Sequence, residues 1–309
     1  MTSKYDYPNN HDLDAPNENR RGRKKGSKNK PKTDPNYVEV DGKKMWNHDL
    51  TIYPIQIDDD KKNQGEPKYP LSSPVHLHLV VGRVKAGKSL LVNNLYLSER
   101  FFKDDFKTRI LISSTAYNDA VNKYMIDEFD FVFTDYSEEL LAELISLIEK
   151  DDGPGRWLIL LDDVIGDVKF NRSGKIDLMS SLITKFRHIG NGEVEGKLSL
   201  CICTQYFRYI GPTARNNATA YYFMGAFPDN ELKKIAESLS FFGGNDRAFL
   251  EIFNRSRKQE YDFLYCSVEH LEARRNHDEL IWSKEKGWEQ PWEGSTLQDI
   301  PEVDENVEE

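Results

Sequence analysis

The stretch Gly82-Arg83-Val84-Lys85-Ala86-Gly87-Lys88-Ser89 constrains this chain more than any other. An apolar run, "VHLHLVV", precedes it, and another, "LLVNNL", follows it. Glycine suits the interior of neither a strand nor a helix, because it loses the most conformational freedom on ordering. Two glycines at such a junction mark a backbone that turns tightly and is approached closely. The pattern is G-x-x-x-x-G-K-S/T, with a strand before it and a helix after it as the motif requires. Successive N–H groups of such a turn converge into an anion nest at the positive end of a helix. Gly82 through Leu90 are therefore the expected contacts of a nucleoside triphosphate, ATP, with the backbone cradling its phosphates. Lys88 would reach the β- and γ-phosphates, and the Ser89 hydroxyl would ligate Mg²⁺.

The pattern after the loop alternates helix and strand. It predicts a helix from Lys88 to about 101, a strand over 108–115, a short helix near 118–125 and a strand over 129–134. The next helix, over 137–150, keeps Leu140, Leu141, Leu144, Ile145 and Ile148 on one face; Ser137 can cap it, and Glu138 and Glu139 suit its positive end. "RWLILLDDV" is apolar almost without interruption, as a strand buried on both faces must be. A helix near 174–187, strands "LSLCICTQ" and "ATAYYFMG", helices near 229–239 and 246–257 and a last strand, "YDFLYCSV", complete the series. The expected fold is α/β, with a mostly parallel twisted sheet carrying helices on both faces.

Two strand ends supply the chemistry that the loop lacks. "LILLDD" closes on Asp162, suited to hold the Mg²⁺ shell, and Asp163, suited to polarise an attacking water. "LSLCICTQ" closes on Gln205, at the carboxyl edge where ligands of such sheets bind. An amide there can touch both γ-phosphate and water. Arg187 and Arg215 flank that strand and are both candidate arginine fingers, a role usually supplied across a subunit boundary. His188 reads as structural, and His76 and His78 as packing on one side of the pleat.

Cys201, Cys203 and Cys266 read as reduced, buried thiols; no CxxC or paired spacing points to zinc. No apolar run approaches the roughly 20 residues that cross a bilayer. The N-terminus lacks the apolar segment of a secretory signal, so secretion is not expected. The net charge of −10 argues against a nucleic-acid binder until its distribution is seen: "RRGRKKGSKNKPK", residues 20–32, holds eight Lys or Arg and no acid. Subtracting that +8 from −10 leaves −18 on everything else. The arm looks like an AT-hook, whose extended arginines enter the narrow minor groove of A·T-rich DNA. Arg20, Arg21, Arg23, Lys24 and Lys25 are its candidate DNA contacts, although Lys24 stands where the hook has proline. A nuclear-localisation signal and a merely solubilising tail are the other readings. Three regions are expected: a largely disordered basic arm and linker over 1–70, a core over 71–270, and a C-terminal extension with an acidic tail over 271–309.

In their order, "GRVKAGKS", "LILLDD", "LSLCICTQYFRYIGPTARNN" and "FLEIFNRSRKQEYDFLYCSV" resemble the FtsK/HerA superfamily of DNA-pumping ATPases. Within it, they are most similar to the poxvirus-type genome-packaging ATPases of large DNA viruses and virophages, over roughly Val75 to Val268. The resemblance implies a RecA-like P-loop core in a homo-oligomeric ring, a hexamer or pentamer, that hydrolyses ATP to thread double-stranded DNA into a preformed capsid. It implies capsid or portal-like vertex proteins as partners, and action at virus-assembly sites in the host cytoplasm or nucleus, or in the virion. Lys88, Ser89, Asp162, Asp163 and Gln205 take the loop, metal, acid and sensor roles. An arginine just before the glutamine strand acts in trans in that superfamily, which favours Arg187 over Arg215. Two features depart from its pattern: the link "NGEVEGK" is long, and Lys85-Ala86 stands where Ser-Gly or Gly-Ser is usual. A helicase or DNA-remodelling ATPase on the same core is the alternative; a nucleotide switch or small-molecule kinase is a third.

Removing residues 1–32 is expected to weaken binding to duplex DNA. The slope of log affinity against log salt should fall by about 0.9 for each phosphate that the arm neutralises. A salt titration that returned the same slope for both proteins would exclude the arm from the interface.

Overall fold

The computed structural model describes residues 37–40, 43–46, 68–117, 122–164, 177–190, 196–239 and 246–288. The basic arm at 20–32, the link at 191–195 and the acidic tail lie outside the described residues. The chain divides into two units, Met1–Gln56 and Ile57–Glu309. In the first, β1 (Tyr37–Val40) and β2 (Lys43–Trp46) pair antiparallel, with Val40 opposite Lys43. Asp41-Gly42 between them is a strong hairpin signal that the composition of this polar region conceals.

The second unit is built on a ten-stranded sheet. Its strands are β3 (Leu77–Gly82), β4 (Phe106–Ser113), β5 (Phe131–Phe133), β6 (Arg156–Asp162), β7 (Leu198–Thr204), β8 (Ala220–Met224), β9 (Phe263–Ser267), β10 (Glu272–Arg275), β11 (Glu279–Ser283) and β12 (Gly287–Trp288). The order is β12-β11-β10-β9-β8-β3-β7-β6-β4-β5. From β8 to β5 every pairing is parallel; from β8 outward to β12 every pairing is antiparallel. The sheet thus continues past residue 270 through three strands. β10, Glu-Ala-Arg-Arg, has too little apolar content to announce itself: only Ala273 and Arg274 are buried, and Arg274 pairs with Glu272 at 2.9 Å.

The helices are α1 (Lys88–Leu97), α2 (Asn122–Glu128), α3 (Glu138–Lys150), α4 (Leu178–Lys185), α5 (Pro212–Asn217), α6 (Asp229–Ser238) and α7 (Asp246–Arg255). α1 and α2 contribute to the core on one face of the sheet, and α3, α4, α6 and α7 to the core on the other. Along β6, Leu158 and Leu160 join the first core and Ile159 and Leu161 the second, which is why that strand is apolar at every position. α3 begins where its cap predicts: Ser137 Oγ accepts from Leu140 N at 3.1 Å. α5 escapes a periodicity reading because it has only 6 residues, opening on Pro212.

The loop's scaffold is held by a polar cluster inside the core. His76 and His78 lie on one side of the pleat with their rings stacked at 3.7 Å, and both are fully buried. His76 Nε2 and His78 Nδ1 both meet the Tyr96 hydroxyl, at 3.1 and 3.0 Å. Their other nitrogens meet Ser73 O and Ser72 Oγ, at 3.0 and 2.6 Å. Tyr96 belongs to α1, so the cluster ties that helix to β3. Burial pulls His76 down to about 3; it also pulls His78 well below the usual range, with help from the His76 and His277 charges. Both rings are therefore neutral in the folded chain at pH 7.

A group whose folded pKa is depressed contributes stability that is intact above its unfolded value and lost as pH falls. Stability should decline below about pH 6.5, by up to roughly 1.4 kcal/mol per pH unit for each histidine. For His76 the decline continues toward about 3. Urea midpoints measured at about pH 7.5 and about pH 5 check this; equal midpoints would mean that the two rings carry no such penalty.

Candidate functional site

The loop leaves β3 at Gly82, which pairs with Met224 of β8. A Cβ on Gly82 would lie 2.9 Å from both Met224 Cβ and Met224 O, so the sheet itself forbids a side chain there. Gly87 caps α1 with φ 96°, a left-handed conformation that costs glycine little. Lys85 adopts φ 63° without that freedom. The lysine therefore holds a conformation that costs a side-chain-bearing residue roughly 1–2 kcal/mol. Arg83, Val84 and Lys85 are exposed, whereas Lys88 is buried. Its Nζ donates to Gly82 O at 2.9 Å and to Arg83 O at 3.3 Å, curled back onto the loop it belongs to.

β7 lies between β3 and β6, so the three carboxyl ends stand side by side. Neighbouring strands are about 4.8 Å apart, which puts the ends of β3 and β6 about 10 Å from one another. Asp162 ends β6, buried, and accepts from Ser113 Oγ of β4 at 3.3 Å. Asp163 follows with φ 54°, its N–H donating to Cys203 O at 3.2 Å. One residue past β7, Gln205 Nε2 donates to Asp163 Oδ2 at 3.3 Å. The Cys203 thiol sits among these groups. Its hydrogen bond with Cys201 and its burial push it up, the Asp162 charge adds to that, and Lys88 acts the other way. Lys88, Asp162, Asp163 and Gln205 thus gather at one edge of the sheet.

The two arginines do not. Arg187 lies in the 3-10 turn Phe186–His188 ahead of β7, half-buried with its guanidinium 5.5 Å from the Phe186 ring. Arg215 lies on α5, which leads into the start of β8. Both are at the amino-terminal edge, away from the loop of their own chain. Arg215 donates through Nη1 to Ser238 Oγ at 2.9 Å and stacks 5.3 Å from Phe207, as a packing residue does. The candidate DNA contacts Arg20, Arg21, Arg23, Lys24 and Lys25 lie outside the described residues.

Two residues at this edge were not legible in the motifs. Ser113 supports Asp162 across a strand pair that only the fold reveals. Tyr261, with φ 67°, lays its ring against Gly87: Cδ1 is 3.2 Å from where a Cβ of Gly87 would stand. Among the described residues no three His, Cys, Asp or Glu side chains gather into a metal-binding group. A cation at this edge would take most of its ligands from phosphate and water, as Mg²⁺ does, and the Ser89 and Asp162 oxygens are of the hard type it accepts.

No protein-family model matches the chain, and no curated protein matches it. Among solved structures, it is similar to the genome-packaging NTPase B204 of Sulfolobus turreted icosahedral virus 2 in complex with AMP. The identity is 17% and the TM-score 0.49, over 66% of this chain and 97% of that one. The DNA-packaging ATPase B204 of Sulfolobus turreted icosahedral virus matches at 16% and 0.48, over 65% and 97%. The conjugation coupling protein TcpA of pCW3 matches at 16% and 0.43, over 63% and 58%. With TM-scores below 0.5, what this chain does rests on its own residues.

Gly82→Ala should destabilise the fold by about 1–3 kcal/mol, as overpacking against fixed backbone does, and should abolish nucleotide binding. Chemical denaturation together with a nucleotide titration checks both effects. A variant of wild-type stability would mean that β8 does not press on the loop.

Proposed function

We propose that this chain is an ATP-driven translocase of double-stranded DNA that works in a homo-oligomeric ring and packages a viral genome into a preformed capsid. The observation that carries the ATPase part is the link between Gln205 and Asp163 at the edge that also bears Lys88 and Asp162. Backbone N–H groups from Gly82 to Leu90 hold the phosphates of ATP. Lys88 must leave the Gly82 and Arg83 carbonyls to reach the β- and γ-phosphates, so nucleotide binding exchanges two bonds to neutral carbonyl oxygens for bonds to anionic phosphate oxygens. Ser89 and Asp162 would hold Mg²⁺, which would supply neutralisation of the triphosphate's charge. Asp163 orients and polarises the attacking water, and the Gln205 amide, already bonded to that carboxylate, registers whether a γ-phosphate is present.

A finger must reach the transition state from another subunit, since neither arginine lies at this edge of its own chain. Arg187 is the better candidate, because Arg215 is committed to Ser238 and Phe207. For DNA, two features support the reading. One is the basic arm at 20–32. The other is the segment directly after Gln205, where Arg208 lies 5.0 and 5.1 Å from the rings of Tyr206 and Tyr209, all three exposed. A cation held between aromatic rings one turn from the sensor can feel a phosphate backbone and report to the site. Capsid or portal-like vertex proteins are the partners that packaging requires, and virus-assembly sites the place of action.

Lys88→Ala and Asp163→Asn should each lower ATP turnover by about 10²-fold or more, and duplex DNA should raise the wild-type rate. Steady-state assays with and without duplex, alongside a strand-displacement assay, check the proposal. Retained turnover in Lys88→Ala would sink the site assignment. Strand displacement would turn the reading to a helicase, and indifference to DNA would remove the translocase.

A further inference from the structure

The chain just past Gln205 is held by a residue that no motif announced. β7 is buried at all 7 positions and paired parallel on both sides, which fixes the chain leading into Gln205. After Gln205 the chain leaves the sheet and enters the 3-10 turn Phe207–Tyr209. The first N–H groups of a helical turn find no partner inside it, and Tyr206, which caps this one, offers no side-chain bond. The partner comes from α6: Phe207 N donates to Glu231 Oε1 at 2.9 Å, 24 residues along the chain. We propose that Glu231 is a positioning residue for ATP hydrolysis, holding the Phe207 main chain so that the Gln205 amide meets Asp163. This rests on the roles proposed for Gln205 and Asp163.

Only Tyr206 separates Gln205 from Phe207, and the bond from Gln205 Nε2 to Asp163 Oδ2 is 3.3 Å. That is longer than the roughly 2.9 Å of a typical N–H···O bond, so a small displacement of the main chain breaks it. The bond that prevents such a displacement is of the stronger kind, a carboxylate accepting from a main-chain N–H. The carboxylate also stands on a firm base, since α6 is packed into the core through Leu232, Ile235 and Ala236.

α6 grips Phe207 a second time. Ser238 closes the helix, about two turns beyond Glu231 and on the same face. Its Oγ donates to Lys234 O at 2.8 Å and accepts from Arg215 Nη1 at 2.9 Å. The Arg215 guanidinium lies 5.3 Å from the Phe207 ring, which is fully buried. Glu231 thus sets the main chain of Phe207, and Ser238, through Arg215, sets its ring. Tyr206, Arg208 and Tyr209 stay exposed, so the anchoring is confined to the inner side of the turn. One helix therefore fixes the exit from Gln205 as firmly as the sheet fixes the entry.

The test is the steady-state ATPase rate of the full chain with duplex DNA present, for wild type, Gln205→Ala and three variants of Glu231. Glu231→Ala removes the acceptor. It should lower kcat by about 10-fold and leave KM for ATP within about 2-fold of wild type, since no phosphate contact is touched. Glu231→Gln keeps an acceptor oxygen at the same reach and should recover at least about half of the wild-type kcat. Glu231→Asp keeps the charge but falls one methylene short, and should be as slow as Glu231→Ala. In a double-mutant cycle, adding Glu231→Ala to Gln205→Ala should cost less than about 2-fold, because its effect runs through that amide. Wild-type kcat in Glu231→Ala or Glu231→Asp, no recovery in Glu231→Gln, or losses that multiply in the double variant would overturn the role of Glu231 and leave Gln205 its own. Wild-type turnover in Gln205→Ala would remove the amide's role, and this inference with it.

Discussion

Three parallel strands, β3, β7 and β6, end side by side, and the chemistry of this chain follows from what each carries just past its last ladder pair. β3 hands its backbone to the glycine turn that opens α1, β7 offers an amide, and β6 offers two carboxylates. None of these would act alone. On the proposed reading the turn would bind phosphate without cleaving it, and the acids would merely be solvated at an isolated strand end. The insertion of β7 between the other two makes the amide the contact of the acid and places both within reach of the loop. A sheet in which β3 and β6 paired directly would leave Gln205 without that role.

The cost of this arrangement is borne in backbone conformation. Lys85 and Asp163 both have positive φ without being glycine. Such residues persist only when their surroundings over-determine them. Behind Lys85 the surroundings are plain: β8 presses on Gly82, and Ala86 faces the positions where Gly82 and Gly225 would carry side chains. Behind Asp163 the Cys203 carbonyl and the Gln205 amide fix main chain and side chain together. The buried pair His76 and His78, bonded to Tyr96, then locks the helix that receives the loop. Polar groups in a core are expensive unless satisfied, and these are satisfied only when α1 sits where the loop needs it.

Much of this was legible from residues. The loop, the acid pair and the glutamine each sit at the end of an apolar run bounded by turn residues, and Ser137 with its two glutamates announces α3. What escaped has a common cause: its signal is long-range. β10 carries three charged residues out of four, which in isolation reads as loop, and only Glu272 and the neighbouring strands make Arg274 tolerable in a sheet. Arg215 looked like a finger because of its place in the chain; its bond to Ser238, far along the sequence, makes it a packing residue. Tyr261 gave no signal either, since a tyrosine in a polar turn becomes part of a site only when β9 brings it against Gly87.

The position of the arginines also shapes how a ring of these chains would work. In the proposed ring, a subunit whose own sheet edge holds the acids, amide and loop, but whose Arg187 and Arg215 lie at the opposite end, would offer either of these arginines only to a neighbour's site. Arg187 is half-buried, with its guanidinium 5.5 Å from the Phe186 ring, a weak stacking contact that phosphate oxygens could replace. The same Phe186 packs in the core beneath α4. A shift of the turn on docking would therefore be felt along α4, toward the strands whose far ends carry Asp162 and Gln205. Hydrolysis in one subunit and the placement of the next subunit's arginine would then be coupled through packed elements, which is what sequential firing around a ring requires.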